Sequence, residues 1–344
     1  MADTAVTSST SGATARLARS AESEGTDKDR YVLPIGRFTS KHDGCKGRAY
    51  DAFDFWVGHW DVYLPGVTSV VGTNVVTKAV DGCVIEEHWS DSDGVRGRSL
   101  NAYDASTGTW SQLWMDQTGG ALQLAGTGDA GMMQMAGTHQ TNRLDPTLQT
   151  DRITWTLQAR DRIQQVGELS TAGGPFTELY TLTYAGVHRE TPFAPSPLDF
   201  CGSPARPRFH SFDFLVGHWT VRGEGKETLK TRVSTDLSGC LVEERMRGPG
   251  GYEAVAYSGF RSATFVWNWM FMDSQGVQIN LSGPSTLSGT NMILSGRRLD
   301  RDGHMVDVQV EWIATAANTV EQRWSFSTDG GTTWSAPNVV TMTQ

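Results

Sequence analysis

The sequence predicts an all-β protein built as two tandem antiparallel β-barrels behind a disordered N-terminal tail. Three observations carry that expectation. The segment Phe53-Asp54-Phe55-Trp56-Val57-Gly58-His59-Trp60 returns as Phe212-Asp213-Phe214-Leu215-Val216-Gly217-His218-Trp219, with one substitution. The spacing, 212 − 53 = 159 residues, is that of a whole domain rather than a solenoid repeat. Within each copy, short apolar/polar alternations are separated by turn clusters such as Gly119-Gly120, Gly128-Asp129 and Asp329-Gly330-Gly331, with no convincing helical period.

Residues 1–44 are rich in Ser, Thr, Ala and charge and read as the disordered tail. They hold no apolar block of the roughly 7–15 residues that a secretory leader needs, so a cytoplasmic location is expected. Residues 45–186 should form the first barrel, 187–208 a stiff proline-rich linker, and 209–344 the second barrel. No run approaches the roughly 18 apolar residues of a membrane span. With a net charge of −9 and dispersed Lys and Arg, the chain offers no basic stripe, and nucleic acid is not an expected partner.

Cys45 and Cys201 precede the repeated motifs, while Cys83 and Cys240 occupy matching Gly-Cys sites. Of the three connectivities that four cysteines allow, the repeat favours Cys45 beside Cys83 and Cys201 beside Cys240. A cytoplasmic setting favours reduced thiols at those places.

Period-two alternation orients the strands. Cys83, Ile85, Glu87 and Trp89 share one face with the counterparts of Cys240, Val242, Glu244 and Met246, and that face is mostly apolar in both copies. It is therefore the core face, which turns Glu87 and Glu244 inward. The same matching places Trp110–Asp116 opposite Trp267–Asp273, and sets Met133, Met135 and Trp155 against Met292, Leu294 and Trp312. His59 and His218 fall opposite their neighbouring Trp, hence outside or at a rim.

The motif Phe-Asp-Phe-x-Val-Gly-His-Trp, followed by Gly-Cys-Val-Ile-Glu-Glu-His-Trp (residues 82–89), Gly-Arg-Ser-Leu-Asn-Ala-Tyr-Asp (97–104) and a closing Asp-Gly-Gly-x-x-Trp, resembles an uncharacterised bacterial family of lipocalin-like domains, domain of unknown function 1579. The resemblance covers both copies and implies two lipocalin-like barrels, each with a ligand-holding cup. It implies no established reaction. Copy two departs at Met246, which stands for Trp89; copy one departs at Gly167, which faces Trp324.

Glu87, and after it Glu244, are the candidate catalytic groups. A carboxylate in an apolar barrel has a raised pKa unless a donor or cation meets it, and it can then exchange a proton near neutrality or hold a ligand. The structural alternative is a salt bridge to Arg323 or a bond to an indole, and the presence of a Glu in both copies favours it. The candidate ligand-binding residues are Trp60, Ile85, Trp89, Tyr103, Gln112, Trp114, Met133, Met135, Trp155 and Gly167. Any single Trp or Met is most often plain core; collectively 12 Trp and 11 Met suit an adaptable apolar pocket. Loss of the indole at Gly167 is expected to leave room in copy one.

No metal site is expected, because His42-Asp43-Gly44-Cys45 lacks the paired clusters of a zinc site. No phosphate loop or nucleophile elbow appears, so no cofactor is expected. The leading expectation is capture of an apolar or amphipathic small molecule by a carrier or sequestering protein. The alternative is a cofactor-free cyclase or isomerase of a secondary-metabolite intermediate, for which tandem lipocalin-like cycloaddition catalysts offer a fold-level analogy only.

Overall fold

A computed structural model describes residues 45–187, 193–222, 228–287, 289–300 and 303–344; the expected tail, residues 1–44, lies outside the described residues. The chain forms two closed antiparallel barrels of ten strands each. The first comprises β1 (Gly58–Tyr63), β2 (Gly72–Ala79), β3 (Val84–Asp91), β4 (Arg96–Asp104), β5 (Thr109–Asp116), β6 (Ala121–Asp129), β7 (Met132–Gln140), β8 (Leu148–Ala159), β9 (Arg162–Thr171) and β10 (Thr177–Gly186). The second comprises β11 (Gly217–Arg222), β12 (Thr228–Asp236), β13 (Leu241–Arg247), β14 (Glu253–Arg261), β15 (Val266–Asp273), β16 (Gln278–Pro284), β17 (Asn291–Leu299), β18 (Met305–Ala316), β19 (Thr319–Ser327) and β20 (Asn338–Thr343). Each barrel is an up-and-down meander whose first strand pairs with both its second and its last, which removes every free edge. Lipocalins close with about eight strands, so these barrels are wider.

The duplicated motif is a plug. Asp54–Trp56 and Asp213–Leu215 each make a single 3₁₀ turn that leads into the first strand of its barrel. The strand's Trp fixes the turn: Trp60 Nε1 donates to the Trp56 carbonyl at 2.9 Å, and Trp219 Nε1 to the Leu215 carbonyl at 2.6 Å. Phe53 then stacks on Trp56 and meets Trp155 and Trp110 edge-on, and Phe212 meets Trp267 and Trp312 in the same way. Such aromatic packing closes one end of each barrel and adds about 0.5–1.5 kcal/mol per pair beyond area burial. His59 and His218 lie exposed on the other side of their strands.

Both cysteine pairs close as disulfides, with Cα–Cα distances of 4.7 Å for Cys45–Cys83 and 5.0 Å for Cys201–Cys240. The outward faces of β3–β5 carry apolar residues too, and the second barrel covers them. Val84, Leu100, Leu113 and Met115 join Tyr257, Met270 and Met272 in one buried core that runs between the barrels. Polar contacts frame it: Arg98 Nε pairs with Asp236 at 3.0 Å, and Gln117 Nε2 donates to Ser238 Oγ at 2.9 Å.

Candidate functional site

Strand register lets the two interiors be compared position by position. In the first barrel Ile85, Glu87 and Trp89 face Asn101, Ser99 and Gly97 on β4, and Asn101 and Ser99 face Gln112 and Trp114 on β5. In the second, Val242, Glu244 and Met246 face Ser258, Ala256 and Ala254, and Ser258 and Ala256 face Trp269 and Phe271. Ser99 thus becomes Ala256, and Gln112 becomes Trp269. Tyr184, beside Val62 on β1, becomes Met342, beside Val221 on β11. The second interior thus loses the serine, the glutamine and the phenol at these three positions, though Glu244, Ser258, Thr231 and Gln322 remain buried in it.

Glu87 is 5% exposed and collects the polar groups of its barrel. Asn74 Nδ2 donates to its Oε1 at 2.8 Å and Ser99 Oγ donates to its Oε2 at 2.7 Å. Behind Ser99, Asn101 Nδ2 donates to Ser99 Oγ at 2.9 Å, and Gln112 Nε2 donates to Asn101 Oδ1 at 2.8 Å. Every bond in this chain points its donor toward the carboxylate. Burial pushes the Glu87 carboxyl up to about 7; Ser99, Asn74 and the charge of Arg98 oppose the rise without cancelling it. Across the barrel, Tyr184 donates to Gln165 Oε1, while Gln165 Nε2 donates to the Tyr180 hydroxyl at 3.2 Å. Burial raises both phenols, Tyr180 to about 12, so they are neutral donors at neutral pH.

These groups bound a cavity of about 190 Å³. Glu87, Gln112 and Gln165 supply its polar wall; Trp89, Trp114, Trp155, Tyr180 and Tyr184 supply aromatic faces; Leu122, Ile153 and Leu182 complete it. Three of the rings pack closely on glycine: Trp89 on Gly72, Trp114 on Gly97 and Tyr180 on Gly167. A Cβ at any of the three would come within 2.0–2.3 Å of ring atoms, so the missing side chain is what lets each aromatic pack against the wall. The second barrel has Leu229, Ala254 and Trp324 at these register positions. There Trp269 stacks on Phe271 and meets Trp312 and Trp324 edge-on, which fills the interior.

Glu244 shares the burial of Glu87 but not its partners. Desolvation alone pushes its carboxyl up to about 7, and its Oε1 has no hydrogen-bond partner within the protein. Arg323 does not reach it; Arg323 Nη2 pairs with Glu321 at 2.9 Å on the other face of β19.

Five of the candidate ligand-binding and catalytic residues, Glu87, Trp89, Gln112, Trp114 and Trp155, meet at the cavity. Trp60, Ile85, Met133 and Met135 are inside the barrel but buried in the core around the plug, away from the cavity wall. Tyr103 packs on Tyr50 and Trp110, with ring centroids 5.1 and 6.1 Å away. The expectation for Gly167 needs correction: no room is left there, because the Tyr180 ring from the neighbouring strand occupies the place of the missing indole. Sequence reasoning missed Asn74, Ser99, Asn101, Gln165, Tyr180 and Tyr184. All six depend on strand register: alternation alone would turn Ser99 and Asn101 outward, since Leu100 and Ala102 hold the apolar face of their strand.

Among the described residues no group of three or more His, Cys, Asp or Glu is placed to hold a metal, and no helix is long and apolar enough to cross a membrane. His42, Asp43 and Gly44 lie outside the described residues, and Cys45 is in a disulfide.

No protein-family model and no curated protein matches the chain. Among solved structures, it is similar to a protein of unknown function from the DUF3598 family of Nostoc punctiforme, at 8% identity and a TM-score of 0.21, over 87% of this chain and 100% of that one. It is also similar to a Trp-to-Ala mutant of transferrin binding protein B from Haemophilus parasuis, at 10% identity and a TM-score of 0.17, over 79% of this chain and 65% of that one.

Proposed function

We propose that the chain holds a small amphipathic molecule inside its first barrel, as a carrier or sequestering protein, while the second barrel serves as a filled support. The observation that carries this reading is the divergence of two copies of one domain. The first keeps three glycines that lay aromatic rings against its wall and a polar network ending at Glu87; the second replaces all three glycines and packs its centre with indole. At about 190 Å³ the cavity lies below the roughly 300–1,000 Å³ of drug-sized sites, so the ligand is a single ring or short chain with a polar head. The resemblance to the lipocalin-like domains supports a cup of this kind at the level of fold.

One observation favours a second reading, the cofactor-free isomerase or cyclase. Glu87, with a carboxyl near 7, faces the same cavity as the Tyr180 hydroxyl, and such a pair can relay a proton at neutral pH. Incubation of the protein with a metabolite extract, followed by mass spectrometry, separates the two. A compound recovered unaltered and in stoichiometric amount from wild type, and lost from Gln112→Trp, supports the binder. A compound converted to an isomer of equal mass, in excess over protein, supports the enzyme. Identical results from wild type and Gln112→Trp would overturn both, since that substitution installs the second barrel's Trp269 in the cavity wall.

A further inference from the structure

Resting on that reading, we infer that the ligand is a small organic cation, an alkyl- or arylalkylammonium whose charged head sits against Glu87 between the aromatic faces of the first barrel. The lining holds one acidic side chain and no Lys, Arg or His, so its electrostatic preference has a single sign. Trp89, Trp114, Trp155, Tyr180 and Tyr184 line the same space, and the negative faces of indole and phenol attract a cation, most strongly where water is excluded.

The hydrogen bonds around Glu87 agree. Asn74 and Ser99 both donate to it, which is the arrangement that suits a carboxylate. Asn74 Oδ1 is a buried acceptor with no partner in the protein, on the same amide that holds Glu87. The nearest guanidinium, Arg98, points out of the barrel and is paired with Asp236 of the second barrel. Of the strands around it, β10 presents Leu182 and the neutral phenols of Tyr180 and Tyr184, β9 presents Gln165, and β2 and β5 present uncharged Asn74, Gln112 and Trp114. A buried carboxylate with no counter-ion is unfavourable by itself. A bound ammonium supplies that counter-ion and draws the proton off Glu87, so binding and deprotonation are linked.

The test uses three probes of equal shape and different charge on the full chain: phenethylammonium, 2-phenylethanol and phenylacetate, titrated by isothermal calorimetry at pH 8. Phenethylammonium is expected to bind at least about tenfold more tightly than 2-phenylethanol, and phenylacetate not to bind. Lysine-like amines stay protonated up to about pH 10. The ammonium affinity should therefore follow Glu87 alone, weakening by about tenfold from pH 8 to pH 6, with proton release visible as a buffer-dependent heat. Glu87→Gln should remove the preference for the cation yet keep 2-phenylethanol binding, which also shows that the variant is folded. Equal binding of the amine and the alcohol, or tighter binding of phenylacetate, would overturn the cation assignment while leaving the cavity reading intact. Failure of all three probes to bind wild type would overturn both.

Discussion

Arg245 of the second barrel grips Glu86 of the first in a two-pronged ion pair, Nη1 to Oε1 at 2.8 Å and Nη2 to Oε2 at 2.7 Å. The outward face of β3 thus meets the outward face of β13, with Glu243 and His88 beside the pair. Burial pushes the Glu86 carboxyl up, but its bonds to His88 and Arg245 outweigh that and hold it below its usual value. Arg245→Met is expected to destabilise the protein by about 2–3 kcal/mol at pH 7. That lies below the roughly 3–5 of a fully buried pair, because the guanidinium keeps 40% exposure. A depressed carboxyl contributes stability above its unfolded pKa of 4.5, and the contribution disappears as pH falls through the lower folded value. Denaturant titrations of both proteins should therefore converge as pH falls below that lowered folded value; a gap of the same size at low pH would refute the ion-pair account.

The interior carboxyls behave in the opposite sense. Glu87 and Glu244 stand at about 7 in the fold, against 4.5 for a free side chain. Between those values the folded chain keeps protons that the unfolded chain has released, so stability falls as pH rises, on the order of 3 kcal/mol for each group. Glu244→Leu removes one of these groups together with its unpartnered oxygen. The variant is expected to melt higher than wild type at pH 8 and close to wild type at pH 5. Glu87→Leu should gain less, because it strands the donors of Asn74 and Ser99. A Glu244→Leu protein less stable than wild type at pH 8 would show that this carboxyl has a partner.

Each disulfide closes a loop of similar size, with sequence separations of 38 and 39 residues. Chain-entropy arguments give about 3–4 kcal/mol for a loop of that length. Reduction of the folded protein should lower its denaturant midpoint accordingly, and Cys83→Ser and Cys240→Ser should each reproduce part of the drop. The bonds also bear on the expected cytoplasmic location, since structural disulfides persist in oxidising compartments. Thiol trapping of the protein from its own cells is expected to find all four cysteines blocked. Four labelled thiols would return it to a reducing compartment.

Much of the fold is legible because the chain states its constraints twice. The plug shows as a repeat, and Glu87 turns inward by parity alone, since its strand neighbours Ile85 and Trp89 are apolar in period two. The cysteine pairs follow from the same symmetry. The contact between the barrels is not legible, because Val84, Leu100 and Met115 look like ordinary strand hydrophobics until a second barrel covers them. The network behind Glu87 is hidden for a related reason: Ser99 and Asn101 read as solvent-facing polar residues unless β3–β4 register is known.

Gly167 and Tyr180 give the sharpest case. Matching the copies sets Gly167 against Trp324, yet the partner across the sheet is Tyr180 in the first barrel and Asn338 in the second. Each barrel therefore holds one large ring at this level, carried by β10 in the first and by β19 in the second. The connections from β9 to β10 and from β19 to β20 differ in length, so alignment of the copies does not expose the exchange. Gly167→Trp alone should overpack against the phenol and cost about 1–3 kcal/mol. Gly167→Trp with Tyr180→Asn rebuilds the second barrel's pair and should recover most of that loss, with a coupling energy of about 0.5–3 kcal/mol in a double-mutant cycle. The recovered protein should still lose small-molecule binding, because the ring now projects from β9 as Trp324 does from β19, and the hydroxyl that accepts from Gln165 is gone. Additive losses in the two variants would mean that the two side chains do not share one space.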